Sequence, residues 1–163
     1  MSNKNTAASL KGINVPASPF MNPTRISRIN EGRYEHEEIE GALSVVNESD
    51  RILELGAGIG LVGAICAANA KPERILSYEA NPSLLPFINE LYEMNGVDDR
   101  IEVRNQLVVA GPDRPETMTF HVHRSFLGSS LTPARPSATH PVEIPTVSFE
   151  AVREEISPTI IVC

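Results

Sequence analysis

Hydrophobic and polar positions alternate along this chain in two rhythms. Ile52 to Leu55 is a short apolar run closed by glycines, the mark of a buried strand, and Ile59 to Ala70 (IGLVGAICAANA) has the length and composition of a helix packed on it. The unit repeats, with a strand over Arg74 to Tyr78, a helix over Pro82 to Asn95 and a strand over Ile101 to Arg104. Upstream, Glu31 to Val46 predicts a helix whose Ile39, Leu43 and Val46 share one face and whose acidic start suits the positive end of the helix dipole. Strands alternating with helices predict a parallel sheet with right-handed crossovers. After Asn105 the rhythm changes: Leu107 to Ala110, Thr117 to His123 and Val142 to Val147 alternate or are β-branched, and predict antiparallel strands or a hairpin appended to the sheet. Phe149 to Glu155 predicts a short helix and Thr159 to Val162 a last strand. Residues 1 to 20 are polar, contain Pro16 and Pro19, and show no sustained period. They read as a flexible arm, leaving residues 21 to 163 as the α/β domain.

Chemistry concentrates where the first strand meets its helix. Gly56, Ala57, Gly58 and Gly60 form a turn whose glycines let the backbone lie against a ligand, and the free N–H groups of the helix start point at any anion. The second strand delivers Glu79, followed by Ala80 and Asn81, to the same end of the sheet, where a carboxylate can accept both hydroxyls of a ribose. A dinucleotide turn needs G-x-G-x-x-G at the strand end; counted from Gly56 that register puts Leu61 at the third glycine, and the match at Gly58, Gly60 and Gly63 begins two residues late. Glu54, just before the turn, opposes a pyrophosphate and suits a cation. S-adenosylmethionine, with a sulfonium, an ammonium and one carboxylate, fits that electrostatic pattern better than NAD. Glu54 is expected either to approach the cofactor's amino group or only to bond backbone N–H groups of the turn.

ILELGAGIG resembles motif I of class I S-adenosylmethionine-dependent methyltransferases, and SYEANPSLLPFINELYEMNG resembles their second strand and helix. Gly32-Arg-Tyr-Glu35, EANP, Asn95, Phe126-Leu-Gly-Ser-Ser-Leu131 and the closing VEIPTVSFEAVREEISPTIIVC look like the FkbM group, over roughly residues 30 to 163. The resemblance implies a Rossmann-like methyltransferase sheet of strand order 3-2-1-4 and O-methylation of a hydroxyl on a sugar or natural product. It places Tyr34 and Glu35 at the cofactor's methionine end and the segment around Ser129 and Ser130 beside the acceptor pocket. Asn105 and Gln106, whose amides both donate and accept, end the third strand, where the methyltransferases that this chain resembles read the adenine amino group. In that family the last strand leads into an acidic segment that this sequence lacks, which implies an incomplete sheet and little or no activity. A non-catalytic cofactor-binding fragment is therefore the second reading, and a small NAD-dependent oxidoreductase the third. No general base is nominated. The outer edge of Thr159 to Val162 would be open, predicting a homodimer through that strand.

The chain of 163 residues carries a net charge of −7 and shows no basic patch, which argues against a nucleic-acid partner; a small-molecule hydroxyl acceptor is what the resemblance implies. No apolar run approaches a spanning helix and the start lacks a signal pattern, so a cytoplasmic protein without a membrane partner is expected. Cys66 and Cys163 are expected as free thiols. His121 and His123 would share a strand face, but no further ligand completes a metal site.

Overall fold

The computed structural model describes residues 5–133 and 135–163. The segment expected as a flexible arm is a hairpin of β1 (Thr6–Leu10) and β2 (Ile13–Pro16). Its two-residue turn has φ +47° at Lys11 and +84° at Gly12, and positive φ at both central positions is the signature of a type I′ turn. Ala8, Ile13 and Val15 are buried. Helix α1 (Pro23–Asn30) follows, capped by Asn22, whose Oδ1 accepts from the Arg25 N–H at 2.8 Å. The helix expected from Glu31 begins later, as α2 (His36–Val45), because the chain takes left-handed turns at Gly32 and Glu35 before it can wind.

Strand β3 (Arg51–Leu55), helix α3 (Leu61–Asn69), strand β4 (Arg74–Tyr78), helix α4 (Leu85–Asn95, after a 3-10 turn at Pro82–Leu84) and strand β5 (Ile101–Arg104) form the predicted alternation. Strands β6 (Leu107–Val109), β7 (Thr117–His123) and β8 (Thr139–Ser148), helix α5 (Phe149–Ile156) and strand β9 (Ile160–Val162) complete the chain. The central sheet is parallel in the order β5-β4-β3-β9, which is the expected 3-2-1-4. The appended sheet runs β6-β8-β7. Only β7 and β8 are antiparallel; β6 pairs with β8 in parallel, which corrects the all-antiparallel expectation.

Burial explains the hairpin. Helix α3 is apolar on every side, and its residues Leu61 to Ala67 are all buried, so one face rests on the sheet and the others need cover. The β1–β2 hairpin and α2 join that core. The hairpin is fixed to α4 by Asn95, whose side chain accepts from the Asn14 N–H and donates to the Asn14 carbonyl, both at 2.8 Å. On the other face of the sheet, Leu53, Leu76 and Tyr78 pack under Val152 and Ile156 of α5. No helix among the described residues is long and apolar enough to cross a membrane.

Candidate functional site

The turn after β3 is built around Gly58 and Gly60, with φ +57° and +76°. At Gly60 the reason is steric as well as conformational, since a Cβ would stand 2.9 Å from Ile88 Cγ2. The backbone N–H groups of Gly56 and Ala57 donate to the Tyr78 carbonyl at 2.8 and 3.1 Å, holding the turn against the end of β4. There Glu79 closes the arrangement: one carboxylate oxygen accepts from the Gly58 N–H at 2.8 Å and the other from the Asn81 N–H at 2.7 Å. Burial raises the Glu79 pKa, and these N–H groups partly offset that rise.

A pocket of roughly 410 Å³ opens over this turn. Gly56, Gly58, Glu79, Ala80 and Gln106 line it, as does Glu35. Leu55, Tyr78, Leu84, Leu107 and Val108 add apolar walls, and Phe120, Phe126, Leu127 and Ser129 border it from the appended strands and the loop after them. Of these, the sequence singled out only the loop around Ser129. The walls escaped it because nothing local in an apolar residue says which cavity it faces.

Several predicted positions lie outside the pocket lining. Ala57 and Gly60 are buried within the turn, and Asn81 caps the 3-10 turn by accepting from the Ser83 N–H at 3.1 Å. Asn105 donates its amide to the carbonyls of Glu79 and Ala80 at 2.8 and 3.0 Å, so it pins the end of β4 and leaves Gln106 as the amide that faces the pocket. Ser130 bonds its backbone to His121. His123 Nδ1 accepts from the Ser125 N–H at 3.0 Å.

Glu54 departs furthest from expectation. Its side chain turns beneath α3, where the Ser77 hydroxyl and the Gly63 N–H donate to it. Glycine at 63 leaves room for this packing, because a Cβ there would stand 2.6 Å from Ile101 Cδ1 and 2.8 Å from Glu54 Oε2. Glu54 therefore meets neither the pocket nor the turn's N–H groups. Burial pushes its carboxyl up to about 7. The folded protein thus keeps a proton that the unfolded chain releases from its ordinary value of 4.5. This stabilising contribution is complete below that value and is lost as pH rises through about 7. Melting curves from pH 5 to 8 are expected to show stability falling with pH, and Glu54→Gln is expected to flatten that fall; an unchanged slope would show that Glu54 does not carry it.

Glu35 and Tyr34 stand at a second hollow of roughly 340 Å³, lined also by Asn22, Thr24, Arg25, Arg28, Ser125 and Leu127. Glu35 and Leu127 line both cavities, so the two adjoin there. Glu35 has φ +46° and ψ +37° ahead of α2 but makes no side-chain cap bond. Burial, with Glu38 adding repulsion, pushes its carboxyl up to about 7. The Tyr34 hydroxyl is buried, and its burial together with the neighbouring Glu35 carboxylate raises its pKa. Across the hollow the Arg25 guanidinium lies 4.4 Å from the Phe126 ring centroid, tying α1 to the loop after β7.

A model of the TRM5/TYW2 methyltransferase domain matches residues 25–113 of this chain. Among solved structures, Pyrococcus horikoshii TYW2 in complex with MeSAdo is 22% identical, with a TM-score of 0.44, covering 58% of this chain and 33% of its own. M. jannaschii TYW2 in complex with AdoMet is 19% identical, with a TM-score of 0.41, covering 56% of this chain and 37% of its own. M. capricolum TrmK in complex with S-adenosyl-homocysteine is 17% identical, with a TM-score of 0.38, covering 40% and 29%. This chain thus spans about a third of the length of these proteins. A search of curated proteins gives no match.

Proposed function

The chain belongs to the TRM5/TYW2 methyltransferase domain family, and from that premise we propose that it holds S-adenosylmethionine over the Gly56–Gly60 turn and transfers its methyl group to a nucleotide of tRNA. The observation that carries this reading is Glu79, set at the end of β4 with both oxygens aligned by backbone N–H groups and facing the pocket. Two ribose hydroxyls can donate to its remaining lone pairs. Gln106 meets the adenine, and the cofactor's sulfonium end extends toward Glu35.

The family carries two corrections. The matching model is that of TRM5/TYW2 and not of the FkbM group, so hydroxyl methylation of a sugar or natural product loses the resemblance on which it stood. TRM5/TYW2 enzymes act on tRNA, which overturns the expectation of a small-molecule acceptor and no nucleic-acid partner. That expectation averaged charge over the whole chain, whereas nucleic-acid contact depends on where charge is placed.

In the transfer, a lone pair of the acceptor nucleotide attacks the methyl carbon, the carbon–sulfur bond breaks, and its electron pair neutralises the sulfonium. Where the acceptor atom carries a proton, Glu35 is placed to take it: it lines both cavities, and its carboxyl titrates near neutrality. The rest of the chain's contribution is positioning. Calorimetry with S-adenosylmethionine, S-adenosylhomocysteine and NAD tests the cofactor. Binding of the first two and far weaker NAD binding is expected; NAD binding of equal strength would overturn the reading. Transfer of labelled methyl from the cofactor to bulk tRNA tests the acceptor.

A further inference from the structure

The ladder between β4 and β5 runs out where the site begins. Its last paired residues are Tyr78 and Arg104, one more backbone bond joins the Glu79 N–H to the Arg104 carbonyl at 2.9 Å, and then β6 opens at Leu107. The carbonyls of Glu79 and Ala80 lie past that end. A buried carbonyl without a donor costs about as much as a lost hydrogen bond, and Glu79 is a buried residue. Asn105 answers for both: its side-chain nitrogen donates to the Glu79 carbonyl at 2.8 Å and to the Ala80 carbonyl at 3.0 Å, in place of the missing rung. A single amide nitrogen carries two hydrogens, so both are committed to the protein. Every polar group of Glu79 is then held. Its N–H meets Arg104, its carbonyl meets Asn105, and its carboxylate oxygens accept from Gly58 and from Asn81, the residue that follows the clamped stretch.

We infer that Asn105 is a positioning residue for the cofactor: by holding the Glu79 and Ala80 carbonyls it fixes the direction in which the Glu79 carboxylate meets the ribose hydroxyls, and it takes no part in reading the base. The inference rests on the S-adenosylmethionine reading above. If the peptide between Glu79 and Ala80 could rotate, the Asn81 N–H would move with it and the carboxylate would lose its second anchor. The ribose contact would then form only after the carboxylate had been reordered, and that ordering would be subtracted from the binding affinity. Adenine is met by the neighbouring side chain, since Gln106 lines the pocket and Asn105 does not. The position requires an amide rather than a polar group in general. An aspartate there has the same shape, but it would set an acceptor and a negative charge against two carbonyl oxygens, at the strand end that already carries the Glu79 carboxylate.

The test is calorimetry on the full chain with S-adenosylhomocysteine, its 2′,3′-dideoxy analogue and its hypoxanthine analogue, S-inosylhomocysteine. Wild type is expected to bind the dideoxy analogue at least about thirtyfold more weakly than the parent, through the loss of hydrogen bonds to a charged acceptor. Asn105→Ala should weaken the parent about tenfold and shrink that ratio to within about threefold, while its preference for adenine over hypoxanthine stays at the wild-type value. Gln106→Ala should do the reverse, keeping the ribose ratio and losing the base preference. In a Glu79→Ala background, Asn105→Ala should cost less than about twofold more, because the two residues act through one carboxylate. Asn105→Ser, with a single donor, should fall between wild type and Asn105→Ala, and it carries the comparison if the alanine variant does not fold. A general loosening of the strand end would weaken all three ligands in parallel and leave both ratios in place. That result, or a lost base preference in Asn105→Ala, would overturn the proposal while leaving the cofactor reading standing. A wild type that binds the parent and the dideoxy analogue equally would remove the ribose assignment of Glu79 and the role of Asn105 with it. Absence of any S-adenosylhomocysteine binding would remove the cofactor reading itself.

Discussion

Gly60→Ala is expected to lower the stability of the protein by about 3 kcal/mol and its melting temperature by roughly 10 °C. Two costs add. An alanine at φ +76° sits in a backbone region that L residues disfavour by about 1 to 2 kcal/mol. Its methyl would also press on Ile88 at 2.9 Å and on Tyr92 at 3.1 Å, both buried residues of α4. Gly58→Ala is the control. Its Cβ meets nothing within 4 Å, so only the conformational cost of about 1 kcal/mol remains. Yet Gly58 lines the pocket and donates to Glu79, so that variant should lose cofactor affinity more than stability. Thermal melts and calorimetry on both separate the two roles. Equal destabilisation by the two substitutions would show that packing behind Gly60 contributes nothing.

The second large effect is at Glu79. Glu79→Ala is expected to weaken S-adenosylmethionine binding by about 2 kcal/mol, or about thirtyfold in Kd. It removes the acceptor for the ribose and leaves two backbone N–H groups, of Gly58 and Asn81, without their partner. Glu79→Gln would be mild if one carboxylate oxygen were idle, but here each accepts from the backbone. A glutamine must turn its NH2 toward one of those N–H groups, donor against donor, so it should recover little of the loss. Wild-type affinity in Glu79→Ala, with the fold intact, would end the ribose assignment. Wild-type affinity in Glu79→Gln would mean that the two-N–H arrangement is not what holds the carboxylate.

The sequence by itself determined the parallel alternation, the glycine turn and the placement of Glu79 beside it, whereas the 3-2-1-4 order was implied by the family resemblance. The first three are consequences of local period and of a single rule for the hand of crossovers, and each can be read within about thirty residues of chain. The hairpin and α1 were legible in part: Asn22-Pro23 is a helix start, and the apolar character of α3 on all sides required cover from somewhere. Lys11-Gly12 hid the hairpin, because lysine is not a residue that announces a positive φ. Only the tertiary structure decided which carboxylates matter. Glu54 and Glu79 both stand beside the turn in sequence. Strand alternation puts Glu54 on the same face as Ile52, and only the packing of α3 on that face takes it away from the pocket. Asn105 and Gln106 are neighbours that divide two tasks by facing opposite ways. Glu35, Arg28 and Leu127 meet around one hollow although α1 and the loop after β7 lie about a hundred residues apart, and no period in the sequence encodes such a meeting.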